Sequence, residues 1–159
     1  MVKPSALTKL GLSTVAALLL FGVAGAADSQ KSLDIVVQGT TQAVVQDPSG
    51  IRDSSWSGTH RIPSCSVEGY RNTATGTPMT HIVVSGCRTG DYIIEAVSVG
   101  RALGLTVMAE GPGWGCGRGD GIKAPATGEI RSWKISFASG SDAECRVVLQ
   151  RLEQKARGR

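Results

Sequence analysis

Short apolar segments rich in β-branched residues follow an apolar N-terminal stretch, and clusters of glycine, serine, aspartate and proline separate them. This pattern is typical of β-strands joined by turns. The first two segments, residues 33–37 and 42–46, precede a turn-like sequence at 47–50, and we expect them to pair as a hairpin. A further strand is expected over residues 55–62, with Trp56 directed inwards.

The clearest pattern comprises three apolar segments, residues 81–85, 92–99 and 105–109, which are linked by short polar or glycine-containing connections. This arrangement predicts an antiparallel meander. Residues 130–137 and 145–149 predict a second hairpin. Apolar side chains alternate with polar ones along the first strand of this hairpin, so we expect that strand to bury one face.

These segments predict a mainly β fold, a small antiparallel β-sandwich or barrel with two disulfides. An α+β alternative remains, a small barrel with helices at residues 91–103 and 142–155. Tyr92, Ala96 and Val99 have helical spacing, and a serine-x-x-glutamate capping box opens the second segment. Several β-branched residues within the first segment favour the strand instead.

The N-terminus resembles a secretory signal peptide in its layout. Lys3 and Lys9 give it a basic start, an apolar run covers residues 10–23, and small residues follow. We therefore expect residues 1–26 to be a leader that is cleaved after Ala26 or Ala27. The remaining protein would be secreted or periplasmic.

Cys65, Cys87, Cys116 and Cys145 all lie beyond this leader. An even number of cysteines in an oxidising compartment predicts two disulfides. Three connectivities are possible, and we favour pairing in sequence order, Cys65 to Cys87 and Cys116 to Cys145. A zinc site normally contains closely spaced ligand pairs, and these cysteines are widely separated, so we expect no metal.

Residues 28–150 have the length of one domain, and residues 151–159 would form a basic C-terminal tail. Loss of Lys3 and Lys9 with the leader lowers the formal charge from +4 to +2. The tail contains much of the remaining positive charge. We expect it to be a solvated terminus, and contact with a membrane is expected only through this tail.

Residues 111–121 contain six glycines and a proline, and this composition predicts an irregular loop. Within it, Trp114 lies between glycines, and Arg118 and Asp120 flank Gly119. A disulfide at Cys116 would hold this loop against the rest of the domain. We predict that Trp114, Arg118 and Asp120 bind a ligand, because a loop held in this way can present an indole and charged groups to a partner. The alternatives are that Trp114 folds over the core and that Arg118 contacts Asp120 within a turn.

Catalytic motifs are sparse. Neither His60 nor His81 belongs to an H-E-x-x-H sequence, and no G-x-S-x-G elbow occurs. The glycine-rich segment lacks the G-x-G-x-x-G and P-loop patterns, so no nucleotide cofactor is expected. The few aromatic residues also argue against a nucleic-acid partner.

The sequence therefore favours an exported binding protein without enzymatic activity, whose partner is another protein or a surface glycan. Inhibitors, immunity proteins, adhesin-like virulence factors and toxin-binding subunits fit this description. A small hydrolase of cell-wall or polysaccharide bonds, using a carboxylate with His60 or His81, is one alternative. A structural envelope component is another. The sequence leaves the oligomeric state open.

Overall fold

The computed structural model describes residues 31–139 and 145–153 of the 159-residue chain. This part is entirely β and contains no helix, which confirms the mainly β prediction. Ten strands are formed. They are β1 Ser32–Gln38, β2 Ala43–Gln46, β3 Arg52–Ser54, β4 Cys65–Arg71, β5 Pro78–Ser85, β6 Gly90–Val97, β7 Leu103–Gly111, β8 Trp114–Ile122, β9 Ile130–Ser139 and β10 Cys145–Leu152.

The strands form two antiparallel sheets of five, an arrangement consistent with a β-sandwich. Sheet 1 has the order β4-β5-β1-β7-β8, and sheet 2 has the order β10-β9-β6-β2-β3. Strands β8 and β10 are therefore edge strands of different sheets. The two sheets bury apolar side chains between them, and the largest fully buried ones include Trp133, Tyr92 and Phe137.

The predicted hairpin between residues 33–37 and 42–46 is wrong, because β1 lies in sheet 1 and β2 in sheet 2. The chain crosses over through Gly39, whose φ of 91° is readily adopted by glycine. A Cβ atom at this position would lie 2.1 Å from the carbonyl oxygen of Ala102. The crossover therefore requires both the backbone angle and the small size of glycine.

The predicted meander is also wrong, although its three strands exist. Strands β5 and β7 pair with opposite sides of β1 in sheet 1, whereas β6 lies in sheet 2 between β2 and β9. The apolar face of each sheet is buried only when the other sheet packs against it. The chain therefore passes from one sheet to the other between β5 and β6 and returns between β6 and β7. The hairpin predicted for residues 130–137 and 145–149 is confirmed as β9 and β10.

The helical alternative is wrong at both positions within the described chain. Residues 90–97 form β6, in which Tyr92, Ile94 and Ala96 are buried and their neighbours are more exposed. This period of two is that of a strand with one covered face. Residues 145–152 form β10, while residues 142–144 and 154–155 lie outside the described residues.

The glycine-rich loop prediction is wrong as well, because residues 114–122 form strand β8. Its residues pair with β7 in continuous register from Leu103 opposite Ile122 to Gly111 opposite Trp114. Backbone hydrogen bonds to a neighbouring strand offset the low strand propensity of glycine. Only the turn before β8 retains loop character, and Gly113 has a φ of 75° there.

Tryptophans occupy contrasting environments in this fold. Trp133 in β9 is fully buried together with Ile135 and Phe137, which confirms the predicted apolar face. Trp56 lies in a turn after β3 and is 60% exposed, so the strand predicted over residues 55–62, with this side chain inside, is wrong. The polar turn-forming residues around Trp56 explain the difference, since they favour local hydrogen bonds over a ladder.

Two cysteines are buried, Cys65 in β4 and Cys87 just after β5. Burial, together with nearby carboxylates, raises the pKa of the Cys65 thiol to about 12. Its Sγ donates a long hydrogen bond of 3.8 Å to the carbonyl oxygen of Ser66. The two predicted disulfides are not shown among the described residues, and the side chain of Cys145 lies outside them.

Candidate binding cleft between two edge strands

A cleft of about 510 Å³ lies between the edge strands β8 and β10. Because these strands belong to different sheets, the cleft opens along one side of the sandwich. Five consecutive residues of β8 and five residues of β10 line it. They are Cys116, Gly117, Arg118, Gly119 and Asp120 from β8, and Arg146, Val147, Val148, Leu149 and Arg151 from β10.

The sequence of β8 alternates strictly between glycine and residues with side chains. Cys116 packs against the core and Asp120 bonds to the buried Trp133, so the side-chain-bearing positions face the interior and the cleft. The intervening positions, all glycines, face the outer side of sheet 1. The functional side chains of β8 therefore lie on one face of the strand, and Arg118 shares this face with Cys116 and Asp120.

Asp120 is the most strongly bonded polar residue of the cleft. Its carboxylate accepts hydrogen bonds from Trp133 Nε1 at 2.9 Å, and from Arg151 Nε and Nη2 at 2.5 and 2.6 Å. Arg151 Nη2 also donates to the carbonyl oxygen of Gly121 at 2.5 Å. The Arg151 hydrogen bonds are the largest cause that lowers the pKa of Asp120 to about 2. This contact joins the edges of the two sheets.

Arg118 and Arg146 are exposed and form no ion pair with a carboxylate within the described part of the chain. Arg118 Nη1 only donates to the carbonyl oxygen of its neighbour Gly117, at 3.1 Å. The charges of Asp120 and Arg151 cancel within their own pair. The cleft lining therefore has a net charge of +2 from Arg118 and Arg146.

Three consecutive apolar residues of β10 line the cleft. Val147 is buried and Leu149 is partly buried against the core, whereas Val148 is 44% exposed and lies on the opposite face of the strand, together with Arg146. The described lining contains no aromatic side chain. The cleft consequently combines guanidinium groups with aliphatic surface, a combination suited to recognition of a mixed polar and apolar ligand.

Of the three predicted site residues, Arg118 and Asp120 line this cleft and Trp114 does not. The indole of Trp114 is partly buried and packs against Phe137, with ring centroids 6.4 Å apart. A Cβ atom at Gly111 would lie 2.3 Å from the indole, so the ring covers the backbone of the turn. The geometry matches the alternative in which Trp114 folds over the core.

The Arg118 to Asp120 segment is held within a strand and not displayed on a turn. Asp120 bonds to Arg151 and Trp133 instead of Arg118. Sequence reasoning missed Arg146 and Arg151, which β10 contributes. The available signal was the pair of arginines that flank Val147, Val148, Leu149 and Gln150, but only the fold brings this segment beside β8.

Neither histidine lines the cleft. His81 Nε2 lies 2.9 Å from Asp34 Oδ1, and strand alternation places both residues on the outer face of sheet 1. Each side chain is partly exposed, and His60 lies exposed in a turn region. No group of three or more histidines, cysteines or acidic residues within residues 31–139 and 145–153 could hold a metal ion.

Within the described residues, no helix has the length and apolar character needed to cross a bilayer. Comparison with protein-family models, curated proteins and solved structures gives no match to this chain. Fold and site therefore define the protein as an all-β chain of two five-stranded sheets, with a cationic cleft between two of their edges.

Proposed function

We propose that this chain is an exported binding protein that captures another protein or a surface glycan through the cleft between β8 and β10. The observation that carries the proposal is the pair of exposed arginines, Arg118 and Arg146, which line one cleft together with the exposed Val148. Charged groups that the fold does not neutralise are available to a ligand. Secretion or release into the periplasm follows from the leader-like residues 1–26.

Two disulfides belong to the same proposal, with the pairing Cys65 to Cys87 and Cys116 to Cys145, and the first would require oxidation of the Cys65 thiol, which is reduced in the structure. Cys65 is in register with Val84 of β5, and Cys87 follows shortly after that strand. Cys116 and Cys145 belong to the two edge strands that form the cleft. The second bond would link these strands covalently, and the first would link neighbouring segments of sheet 1.

The cleft is better suited to recognition than to catalysis. A general acid must hold a proton near the working pH, whereas the pKa of Asp120 is lowered to about 2 and its oxygens already accept hydrogen bonds. The hydrolase alternative would rely on His81 with Asp34, and this pair lies on the outer sheet face away from the cleft lining. Binding without bond cleavage is therefore the function that the geometry supports best.

An affinity capture experiment tests the proposal. The exported protein is immobilised and incubated with its native medium or envelope extract, in parallel with the Arg118→Ala/Arg146→Ala double variant. We expect the double variant to retain the wild-type melting temperature and to lose the captured partner. Arg101→Ala is the matched control, since Arg101 is an exposed arginine outside the cleft lining. Equal capture by wild type and double variant would contradict the proposed site.

A further inference from the structure

We infer that the ligand of the β8–β10 cleft is an acidic polypeptide segment. One of its carboxylates lies between Arg118 and Arg146, and a neighbouring apolar side chain packs on Val148. This inference rests on the proposed function, because it names the partner of the same cleft. It deepens that proposal by choosing a polypeptide over a glycan.

The charge distribution calls for an anion. Asp120 accepts three hydrogen bonds, from Trp133 and from two nitrogens of Arg151, so its charge is already compensated by Arg151. Arg118 gains only a bond to a backbone carbonyl oxygen. Guanidinium groups bind carboxylates through paired, charge-assisted hydrogen bonds, which are stronger than bonds between neutral groups. A carboxylate from outside would supply acceptors that no described carboxylate provides to Arg118 and Arg146.

The remaining lining favours a polypeptide over a glycan. Val148 is the exposed aliphatic residue of the lining, and strand alternation places it on the same face of β10 as Arg146. Sugar rings are commonly recognised by stacking on aromatic faces, and the described cleft residues include no aromatic side chain. Trp114, the tryptophan of β8, packs against Phe137, and the Trp133 ring that bonds to Asp120 is fully buried. A peptide offers the required mixture of carboxylate and aliphatic groups.

Fluorescence anisotropy with defined probes tests this inference. The probes are a labelled short peptide in which valine and glutamate alternate, and the same peptide with glutamine in place of glutamate. We expect the first to bind and the second not to bind. Arg118→Gln and Arg146→Gln should each weaken binding about tenfold, the effect expected for loss of one charge-assisted hydrogen bond. Arg101→Gln should leave the affinity unchanged.

Polygalacturonate, which has carboxylates without aliphatic side chains, separates the partner classes. Competition by the glutamate peptide but not by polygalacturonate supports a polypeptide partner. Tighter binding of polygalacturonate, or peptide binding that is insensitive to Arg118→Gln, would overturn the inference. If the peptide fails to bind while native capture still depends on Arg118 and Arg146, the inference is wrong and the proposed function stands. If native capture is insensitive to both arginines, the proposed site itself is wrong.

Discussion

Replacing Asp120 with asparagine should remove a pH-dependent contribution to the stability of the sandwich. In the folded protein the Asp120 carboxylate accepts hydrogen bonds from Arg151 and Trp133, which lower its pKa from 3.8 to about 2. In the unfolded chain these donors are lost and the ordinary pKa returns. Asparagine keeps the size of the side chain and one acceptor oxygen, but it cannot ionise.

The magnitude follows from the size of the shift. At 1.36 kcal/mol per pKa unit, a change from 3.8 to about 2 corresponds to about 2.4 kcal/mol. The side chain of Arg151 is 54% exposed, so screening by solvent reduces this value to about 1 to 2 kcal/mol. A lowered folded-state pKa stabilises the protein above the unfolded pKa, near 4, and the contribution disappears as the pH falls through 2.

Urea unfolding at pH 5 and pH 2 measures this contribution directly. Between these two pH values the wild-type protein should lose about 1 to 2 kcal/mol more unfolding free energy than Asp120→Asn. The comparison between proteins cancels other carboxylates that titrate in the same range, including Asp91, whose pKa is also lowered. Identical losses in the two proteins would refute the conclusion that Arg151 and Trp133 stabilise the ionised form of Asp120.

Three further predictions concern the fold. Gly39→Ala should lower the unfolding free energy by at least about 2 kcal/mol in urea, because the new Cβ would clash with a backbone carbonyl. The control Gly58→Ala, whose Cβ would lie in open space, should leave the unfolding free energy nearly unchanged in the same assay. Trp114→Ala should cost about 1.5 to 3 kcal/mol, since the indole packs on the core, and unchanged urea denaturation would contradict that packing. Thiol titration of the denatured, unreduced exported protein should find no free thiol, and any detected thiol would argue against two disulfides.

The strands were largely predictable because burial of one sheet face imposes a period of two on the sequence. Residues 130–137 show this clearly, and their apolar positions became the buried face of β9. The helical alternative at residues 91–103 arose because apolar residues there also fit a period near four. Pairing with β2 and β9 decided in favour of the strand, and no local pattern contains that information.

Strand order was not predictable from neighbouring segments. Residues 33–37 and 42–46 resemble a hairpin locally, yet the chain crosses between sheets at Gly39. Strand β8 was predicted to be a loop, because the high glycine content of residues 111–121 was given more weight than their alternating pattern. The strict alternation of glycine with larger residues between Trp114 and Ile122 was visible in the sequence, and it was the correct signal for a strand.

Two of the four charged residues that line the cleft were predicted from the sequence. Arg118 and Asp120 attracted attention because they lie in an unusual segment, and both line the cleft. Arg146 and Arg151 are distant in sequence and belong to a strand that could not be placed beside β8 without the topology. Sequence reasoning also linked Trp114 to binding, whereas packing on Phe137 directs its ring towards the core.

The most direct test of the binding cleft is a titration of the isotope-labelled exported protein with the valine–glutamate peptide, followed by two-dimensional amide NMR. We predict that shifts concentrate at the amides of residues 116–120 and 146–149, and that Arg118→Gln requires about tenfold more peptide to produce them. Shifts centred on the outer face of sheet 1, around His81 and Asp34, would show that the ligand binds elsewhere and would contradict the account.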